Sequence, residues 1–496
     1  MAASFASSPD SERSASLSAP SGAPGPAGPP PAPGPSTTGA PGGAGTYGAS
    51  GSPALPDSSG PPGPFVPSVA SGRAVPSPSS VPAGEADAPG APVRVPVSAR
   101  PPGSVSAGQP AAGAAAGDTP GGSARRSLRP HLTELRLSAF AGHRRAGFPL
   151  GPVTLLAGPS GAGKTSALRA YEALARLGGG APLDEVFQDP GACVPERARP
   201  DAQQRRGFRI GCTADGPEGP VLLDVAVQAE PELRIVGERL TARGVVLLET
   251  ALRDPARRAV QAAWHTAGSA PVTRAPLPDD RLGTALLPLR VAGKTDGQRR
   301  VLAAAEQMVV ALRSVFTCDP LPERMRAPVQ HGPGRLFGTC HNLADVLWRT
   351  RAECGRRHAQ FVEAVAAGCA GPVADVLAEP AGPGTLRALL DRGDGFRTDF
   401  ARLGDGELRY AALALVLLTG PGVLEVDPPG EVPAALQALT VLTDGFDRQV
   451  DVGQRRALLR LAERSARDGH IRFLGAVSDA SWAAGEPAVT VVHLKP

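Results

Sequence analysis

Residues 152–172 read PVTLLAGPSGAGKTSALRAYE, and this stretch decides the fold. Its apolar beginning predicts a strand over 152–157, and the helically spaced apolar residues after Ser166 predict a helix that stops at Gly178–Gly180. Between them, Gly158–Thr165 satisfies the pattern GxxxxGK[ST] in full. A strand before this pattern and a helix after it are the context of a phosphate-binding loop, the P-loop or Walker A motif.

Each residue type in this loop suits the binding of a nucleoside triphosphate. Glycines let the backbone N–H groups turn toward phosphate oxygens, and the helix that follows adds its positive N-terminal end. In such loops the lysine reaches the β- and γ-phosphates and the threonine hydroxyl ligates Mg²⁺, so Lys164 and Thr165 are given these roles. We therefore expect ATP and Mg²⁺ as ligands. The expected binding residues are Gly158, Pro159, Ser160, Gly161, Ala162, Gly163, Lys164, Thr165 and Ser166.

The use of lysine in this chain supports that interpretation. Only three lysines (164, 294 and 495) occur among 51 basic residues. A compact ammonium fits a tight backbone cradle better than a planar guanidinium does. A second AGKT, at 292–295, lacks the upstream glycine and a helix directly after it, so we do not expect a phosphate site there.

Composition divides the chain into a tail and a folded part. Residues 1–128 are almost wholly Ala, Gly, Pro and Ser, with Phe5, Tyr47 and Phe65 as the only aromatic residues, which predicts disorder. The rest, taken as a domain over 129–490, exceeds the roughly 250–300 residues at which one hydrophobic core stops growing, so we expect two lobes.

No segment predicts a membrane span, because the longest plainly apolar run covers only 411–418, against the roughly 20 residues that are needed. We expect a cytoplasmic protein with reduced cysteines, since its six cysteines form no CxxC pair. The net charge of +4 does not by itself indicate nucleic acid.

The patterns predict an α/β fold with a mixed or parallel sheet, an antiparallel β lobe and a helical subdomain. The expected parts are a β meander at about 205–250, a helical subdomain at about 297–400, and a helix with a C-terminal βαβ unit over 403–490. Within the last part, strands are expected at 423–426, 438–443 and 471–477, with a helix at 452–467.

Two segments resemble a known family. LTELRLSAFAGHRRAGFPLGPVTLLAGPSGAGKT (132–165) looks like the opening of the RecF/SMC-like ATPases, the ABC-type P-loop group whose members are often called simply AAA-family ATP-binding proteins. LGDGELRYAALALVLL (403–418) resembles the signature segment of that group. The resemblance implies an ABC-type ATPase head that forms an ATP-dependent, head-to-tail homodimer, with DNA or a protein as a further partner by analogy alone.

The resemblance also implies roles for individual residues. Gly404, Asp405, Gly406 and Glu407 would contact the γ-phosphate held by the other subunit, although an ordinary helix N-terminus explains the same pattern. The segment VFQDPGACVPE (186–196) resembles the glutamine loop of the group, in which Gln188 would touch Mg²⁺ or the attacking water. A plain loop fits this short match equally well.

Hydrolysis needs an acidic residue at the end of a strand, and there are two candidates. Asp427 follows the predicted strand 423–426, and Asp444 follows 438–443. We favour Asp444, because the helix at 452–467, about 24 Å long, leads directly into strand 471–477 as a compact βαβ unit. Asp427 remains the alternative metal ligand.

Four positions depart from the family pattern. Pro428 follows Asp427, Thr443 stands before Asp444 where an acidic pair is usual, Ser478 stands where a histidine is usual, and Gly404 replaces a serine. These departures predict ATP binding with hydrolysis that is slow or depends on a partner. Two other functions stay open, namely a P-loop phosphotransferase (kinase) with 199–209 as its lid, and a non-hydrolysing ATP-binding scaffold.

Overall fold

The computed structural model describes residues 129–266, 272–426, 433 and 436–495. The tail over 1–128, for which disorder is predicted, and the alternative acid Asp427 lie outside the described residues. The strands are β1 (His131–Phe140), β2 (His143–Pro149), β3 (Val153–Ala157), β4 (Arg206–Asp215), β5 (Val221–Glu230), β6 (Arg234–Ala242), β7 (Val245–Ala251), β8 (Ala259–His265), β9 (Val272–Pro278), β10 (Val315–Thr317), β11 (Val329–Gln330), β12 (Asp375–Gly382), β13 (Thr385–Gly393), β14 (Phe396–Asp399), β15 (Leu439–Thr443), β16 (Ile471–Val477) and β17 (Val489–His493). The helices are α1 (Lys164–Gly178), α2 (Leu183–Val186), α3 (Gly283–Arg290), α4 (Asp296–Arg313), α5 (Pro322–Met325), α6 (Leu343–Glu353), α7 (Gly355–Gly368), α8 (Asp405–Leu418) and α9 (Val452–Arg467).

A parallel sheet lies at the centre of the fold. Its strand order is β10-β15-β16-β3-β17, and every neighbouring pair is parallel. Successive side chains of a strand point to opposite faces, so Leu156 joins one hydrophobic core while Leu155 and Ala157 join the other. Every residue of β3 and β15 is buried, and burial on both faces explains why apolar residues predominate in these strands.

An antiparallel sheet packs on one side of this centre. Its order is β2-β1-β4-β5-β6-β7-β8-β9, and α1 and α4 share a single core with its inner face. The meander runs from Arg206 to Pro278, and so extends beyond the predicted end near 250. Parallel and antiparallel sheets in one α/β domain confirm the coarse fold class expected from the sequence.

The other side of the parallel sheet is covered by α6, α7, α8 and α9, and here two expectations were wrong. Residues 375–399 form β12–β14, an antiparallel sheet with β11, rather than the end of a helical subdomain. Tight turns carrying positive-φ residues at 384 and 393–395 connect these strands, and such turns favour hairpins. The predicted strand 423–426 does not join the parallel sheet, whose edge strand β10 pairs with β15 alone. It forms only a single bridge, between Leu424 and Leu336.

The topology brings three chain segments to one edge of the sheet. Because β3, β15 and β16 run parallel, their carboxyl ends meet there. The residues that follow them are Gly158, Asp444 and Ser478. Ligands of open α/β sheets bind at this edge, so it is where a site is sought. No helix in the described part of the chain is long and apolar enough to cross a membrane.

Candidate functional site

The loop between β3 and α1 curls around the ammonium group of its own lysine. Lys164 Nζ donates to the carbonyl oxygens of Gly158 at 2.7 Å and Pro159 at 2.8 Å. The loop therefore keeps a positive charge at its centre while its backbone folds over it. A positive charge enclosed by the loop favours an anionic ligand such as phosphate.

Gly163 is the position at which this curl depends most on glycine. Its φ is +89°, in the left-handed region that side chains disfavour. A Cβ there would lie 2.5 Å from Nε2 of His143, the first residue of β2. His143 Nε2 donates to the Gly163 carbonyl oxygen at 3.0 Å, so the β1–β2 hairpin contacts the loop and helps to fix its conformation.

The N-terminus of α1 presents backbone donors to the same space. Gly163 caps this helix without a side chain, and the first turn contains no acidic residue. The N–H groups of Lys164, Thr165 and Ser166 therefore have no intrahelical acceptor. Unsatisfied donors and the helix dipole together make this end of α1 favourable for an anion.

Thr165 and Asp444 meet although 279 positions separate them in the sequence. Thr165 Oγ1 donates to Asp444 Oδ2 at 2.7 Å. A second contact holds α1 against β15, because the Tyr171 hydroxyl donates to Thr440 Oγ1 at 3.2 Å. Burial raises the pKa of Tyr171 to about 12, so this phenol stays neutral and remains a donor.

These groups border a cleft of about 380 Å³ at the carboxyl edge of the sheet. Its lining residues are Ser160, Gly161, Gly163, Lys164, Thr165, Ser166, Asp444, Gly445, Asp447, Arg448, Ala476, Val477 and Ser478. The loop, the end of β15 and the end of β16 all contribute. The lining is mainly small and polar, which suits a phosphate group better than an apolar ligand.

Asp447 is a cleft residue that the sequence analysis missed. Its Oδ2 accepts hydrogen bonds from both the backbone N–H of Ser478, at 2.8 Å, and the Ser478 hydroxyl. The available signal was a second aspartate three residues after Asp444. The sequence alone did not reveal that the turn after β15 returns this residue to the end of β16.

Arg448 supplies a second positive charge in the cleft. Its guanidinium packs over Gly445, since a Cβ added to that glycine would lie 3.0 Å from both Nε and Nη2 of Arg448. The side chain is exposed and has no hydrogen bond or ion pair within the described part of the chain. It is therefore available to an anionic ligand beside Lys164.

The segment compared with a signature motif starts α8, outside the cleft lining. Glu407 accepts from the N–H groups of Gly404 at 3.1 Å and Ala370 at 2.9 Å, which caps the helix. Asp405 accepts from Arg326 at 2.6 Å and from the Gln449 amide at 3.1 Å. Gln449 follows the cleft residue Arg448, so the start of α8 adjoins the turn after β15.

Gln188 lies away from these groups. It is exposed in the loop after α2 and is not part of the cleft lining. The loop is attached to the β1–β2 hairpin, because the Ala141 N–H donates to the Cys193 carbonyl oxygen at 2.7 Å. A role for Gln188 toward Mg²⁺ or water stays a prediction.

The donor atoms present fit a magnesium ion better than a transition metal. In the described ranges no three His, Cys, Asp or Glu side chains converge on one point. Thr165 and Asp444 instead bring together a hydroxyl and a carboxylate oxygen. Mg²⁺ prefers a few such oxygen ligands, completed by water and substrate phosphates.

No protein-family model and no curated protein matches this sequence. Among solved structures, the chain is similar to an SMC head bound to the C-terminal winged-helix domain of ScpA, with TM-score 0.40, 12% identity, and 71% of this chain and 92% of that chain covered. It is also similar to the SMC head domain from Thermotoga maritima, with TM-score 0.33, 12% identity, and coverage of 70% and 89%. A third is an Smc head with an extended coiled coil bound to the C-terminal domain of ScpA from Pyrococcus furiosus, with TM-score 0.35, 13% identity, and coverage of 72% and 91%.

Proposed function

We propose that this protein binds ATP with Mg²⁺ in the cleft and hydrolyses it slowly or only with a partner. The observation that carries the proposal is the 2.7 Å contact of Thr165 Oγ1 with Asp444 Oδ2 beside the curled loop around Lys164. The loop and the start of α1 would bind the phosphates. Thr165 and Asp444 would hold Mg²⁺, which neutralises phosphate charge when it is bound.

Slow hydrolysis is supported by what surrounds Asp444. Gly445 follows it and Thr443 precedes it, so neither neighbour is a second acid. The Thr443 hydroxyl is buried without a hydrogen-bond partner, and therefore does not face an attacking water. Asp444 itself is engaged by Thr165, which leaves no free carboxylate directly at the end of β15.

We further propose a nucleotide-driven switch of the RecF-like, ABC type, in which two heads bind ATP between them. The start of α8 would contact the γ-phosphate held by the second copy. Two features support this: Gly404 is exposed, and the first N–H groups of α8 have no intrahelical acceptor. The phosphate would bind there beside the carboxylates of Asp405 and Glu407. DNA or a protein as a further partner, a role in repair or defence, and a cytoplasmic location stay proposals by analogy.

Light scattering after size-exclusion chromatography tests the proposal on the full chain. With Mg²⁺ and ATP we expect a shift from one copy to two, and with Lys164→Ala we expect none. A mass independent of ATP, together with ATP binding, would contradict the switch but not the nucleotide site. Absence of ATP binding would contradict both.

A further inference from the structure

We propose that Asp447 is the catalytic carboxylate that orients the attacking water and accepts its proton. This inference rests on the proposed ATPase function. It assigns the chemical step to a residue on the turn after β15 rather than to a neighbour of Asp444 in the sequence.

The geometry leaves one oxygen of Asp447 available. Oδ2 is held by the N–H and hydroxyl groups of Ser478, so the carboxylate is fixed in orientation. Oδ1 has no donor in the described part of the chain, and it is not among the buried atoms that lack a partner. It therefore keeps some contact with solvent, although Asp447 as a whole is only 8% exposed. The side chain lines the cleft that holds Lys164 and Thr165.

The composition of the cleft also selects Asp447. Its lining contains two carboxylates, Asp444 and Asp447. Asp444 is engaged by Thr165 and would hold Mg²⁺ with it, so its oxygens would already be committed to the metal. Asp447 is therefore the remaining acid in position to take a proton from water.

The step balances with ATP and water as the only reactants. The water oxygen forms a bond to the γ-phosphorus while the bond from that phosphorus to the bridging oxygen of ADP breaks. One water proton moves to Asp447 Oδ1 and then passes to solvent, and the products are ADP and phosphate. Such proton acceptors contribute roughly 10²–10⁴-fold to rate.

A structural role for the same contact is the competing explanation, because the Asp447–Ser478 pair also fastens the turn after β15 to the end of β16. Asp447→Asn separates the two explanations. Its amide oxygen can still accept from Ser478, whereas it cannot take a proton. Asp447→Glu keeps a carboxylate, and Asp394→Asn, in the exposed turn between β13 and β14, is the matched control.

The experiment compares the full-length variants in ATP affinity, melting temperature, single-turnover rate and identity of the bound nucleotide. For Asp447→Asn we expect a loss of at least about 100-fold in rate. We also expect unchanged affinity and melting temperature, with intact ATP on the protein. Asp447→Glu should recover part of the rate, and Asp394→Asn should match the wild type.

Three results would overturn the role of Asp447 but not the proposed ATP site. The first is hydrolysis by Asp447→Asn at the wild-type rate, and the second is a loss of ATP affinity in that variant together with a lower melting temperature. The third is a wild type that binds ATP without ever hydrolysing it. Should Asp447→Asn fail to fold, Ser478→Ala is measured in its place. Removal of that hydroxyl should lower the rate at unchanged affinity, and an unchanged rate would overturn the assignment. A wild type that does not bind ATP would overturn the proposed function as well.

Discussion

The guanidinium of Arg409, buried on α8, donates from Nη2 to the carbonyl oxygen of Gly445 at 3.3 Å. Gly445 directly follows Asp444, so this bond joins α8 to the turn after β15, which carries Asp444 and Asp447. Nη1 of Arg409 also donates to the Pro320 carbonyl oxygen at 2.6 Å and to Asp319 at 3.2 Å. One side chain thus positions the turn from outside the cleft.

Replacement of Arg409 by methionine should destabilise the protein by about 3 kcal/mol. The substitution keeps an apolar stem but leaves the buried carbonyl oxygen of Pro320 without a donor, at about 1–3 kcal/mol. It also removes the hydrogen bond to the Gly445 carbonyl oxygen, at about 1 kcal/mol, although that oxygen still accepts from the Arg448 N–H. Urea denaturation of the full chain measures the change. Arg239→Met is the control, since its ion pair with Glu249 is more than half exposed, and it should cost less than about 1 kcal/mol. Equal effects of the two substitutions would contradict the role assigned to Arg409.

The two lysines that end an AGK sequence provide a matched test of nucleotide binding. Lys164→Ala removes the charge at the centre of the loop and should weaken ATP binding by at least about 100-fold, the equivalent of one or two charge-assisted hydrogen bonds. Lys294→Ala changes an exposed residue after β9 and α3 and should leave affinity unchanged. Isothermal titration with Mg²⁺ and ATP measures both, and a loss at Lys294 alone would place the site elsewhere.

Thr165 should carry the magnesium dependence of ATP binding. Thr165→Val keeps the shape of the side chain without the hydroxyl, so the affinity gained from Mg²⁺ should fall by roughly tenfold. Thr165→Ser retains the hydroxyl and should keep most of that gain. Binding is measured with Mg²⁺ and with EDTA for each variant. A magnesium effect that survives in Thr165→Val would argue against this residue as a ligand.

Two glycines of the loop separate backbone strain from a steric clash. Gly161 has φ +81° with open space where a Cβ would lie, so Gly161→Ala should cost only strain, about 1 kcal/mol. Gly163→Ala adds the clash with His143 Nε2 and should cost about 3 kcal/mol.

Combination of Gly163→Ala with His143→Ala should then cost less than the sum of the two single changes, because the clash is absent from the double variant. Chemical denaturation of the three variants gives the coupling free energy. Strict additivity would show that the side chain of His143 does not limit residue 163.

A serine at position 404 should strengthen the ATP-driven dimer. The backbone there has φ −65°, and the nearest atom to an added Cβ is Glu407 Oε2 at 3.7 Å, so the side chain fits. A hydroxyl at the start of α8 would give one more donor to the phosphate of the second copy, worth about fivefold in dimer affinity. Sedimentation with Mg²⁺ and ATP measures it. Gly420→Ser, which also meets open space, is the control and should have no effect.

Local features of this protein were predictable from the sequence because they depend on neighbouring residues. The apolar run of β3, the glycines of the loop and the helical spacing of α1 all lie within residues 153–178. The meander was predictable for the same reason, since its hairpins join strands adjacent in the chain. The prediction failed at 375–399 and 423–426, where packing against distant elements decides between strand, helix and turn.

The amino-acid sequence by itself determined the curled loop between β3 and α1, since that loop is built from eight consecutive residues that end in Lys164 and Thr165. Only the tertiary structure decided which acids accompany it. Asp444 reaches Thr165 because β15 and β3 run parallel and end at the same edge of the sheet. Asp447 reaches Ser478 because β16, which Ser478 follows, is the direct neighbour of β15. These contacts join residues that are far apart in the chain, and strand order, unlike loop chemistry, is set by burial of both faces of the sheet.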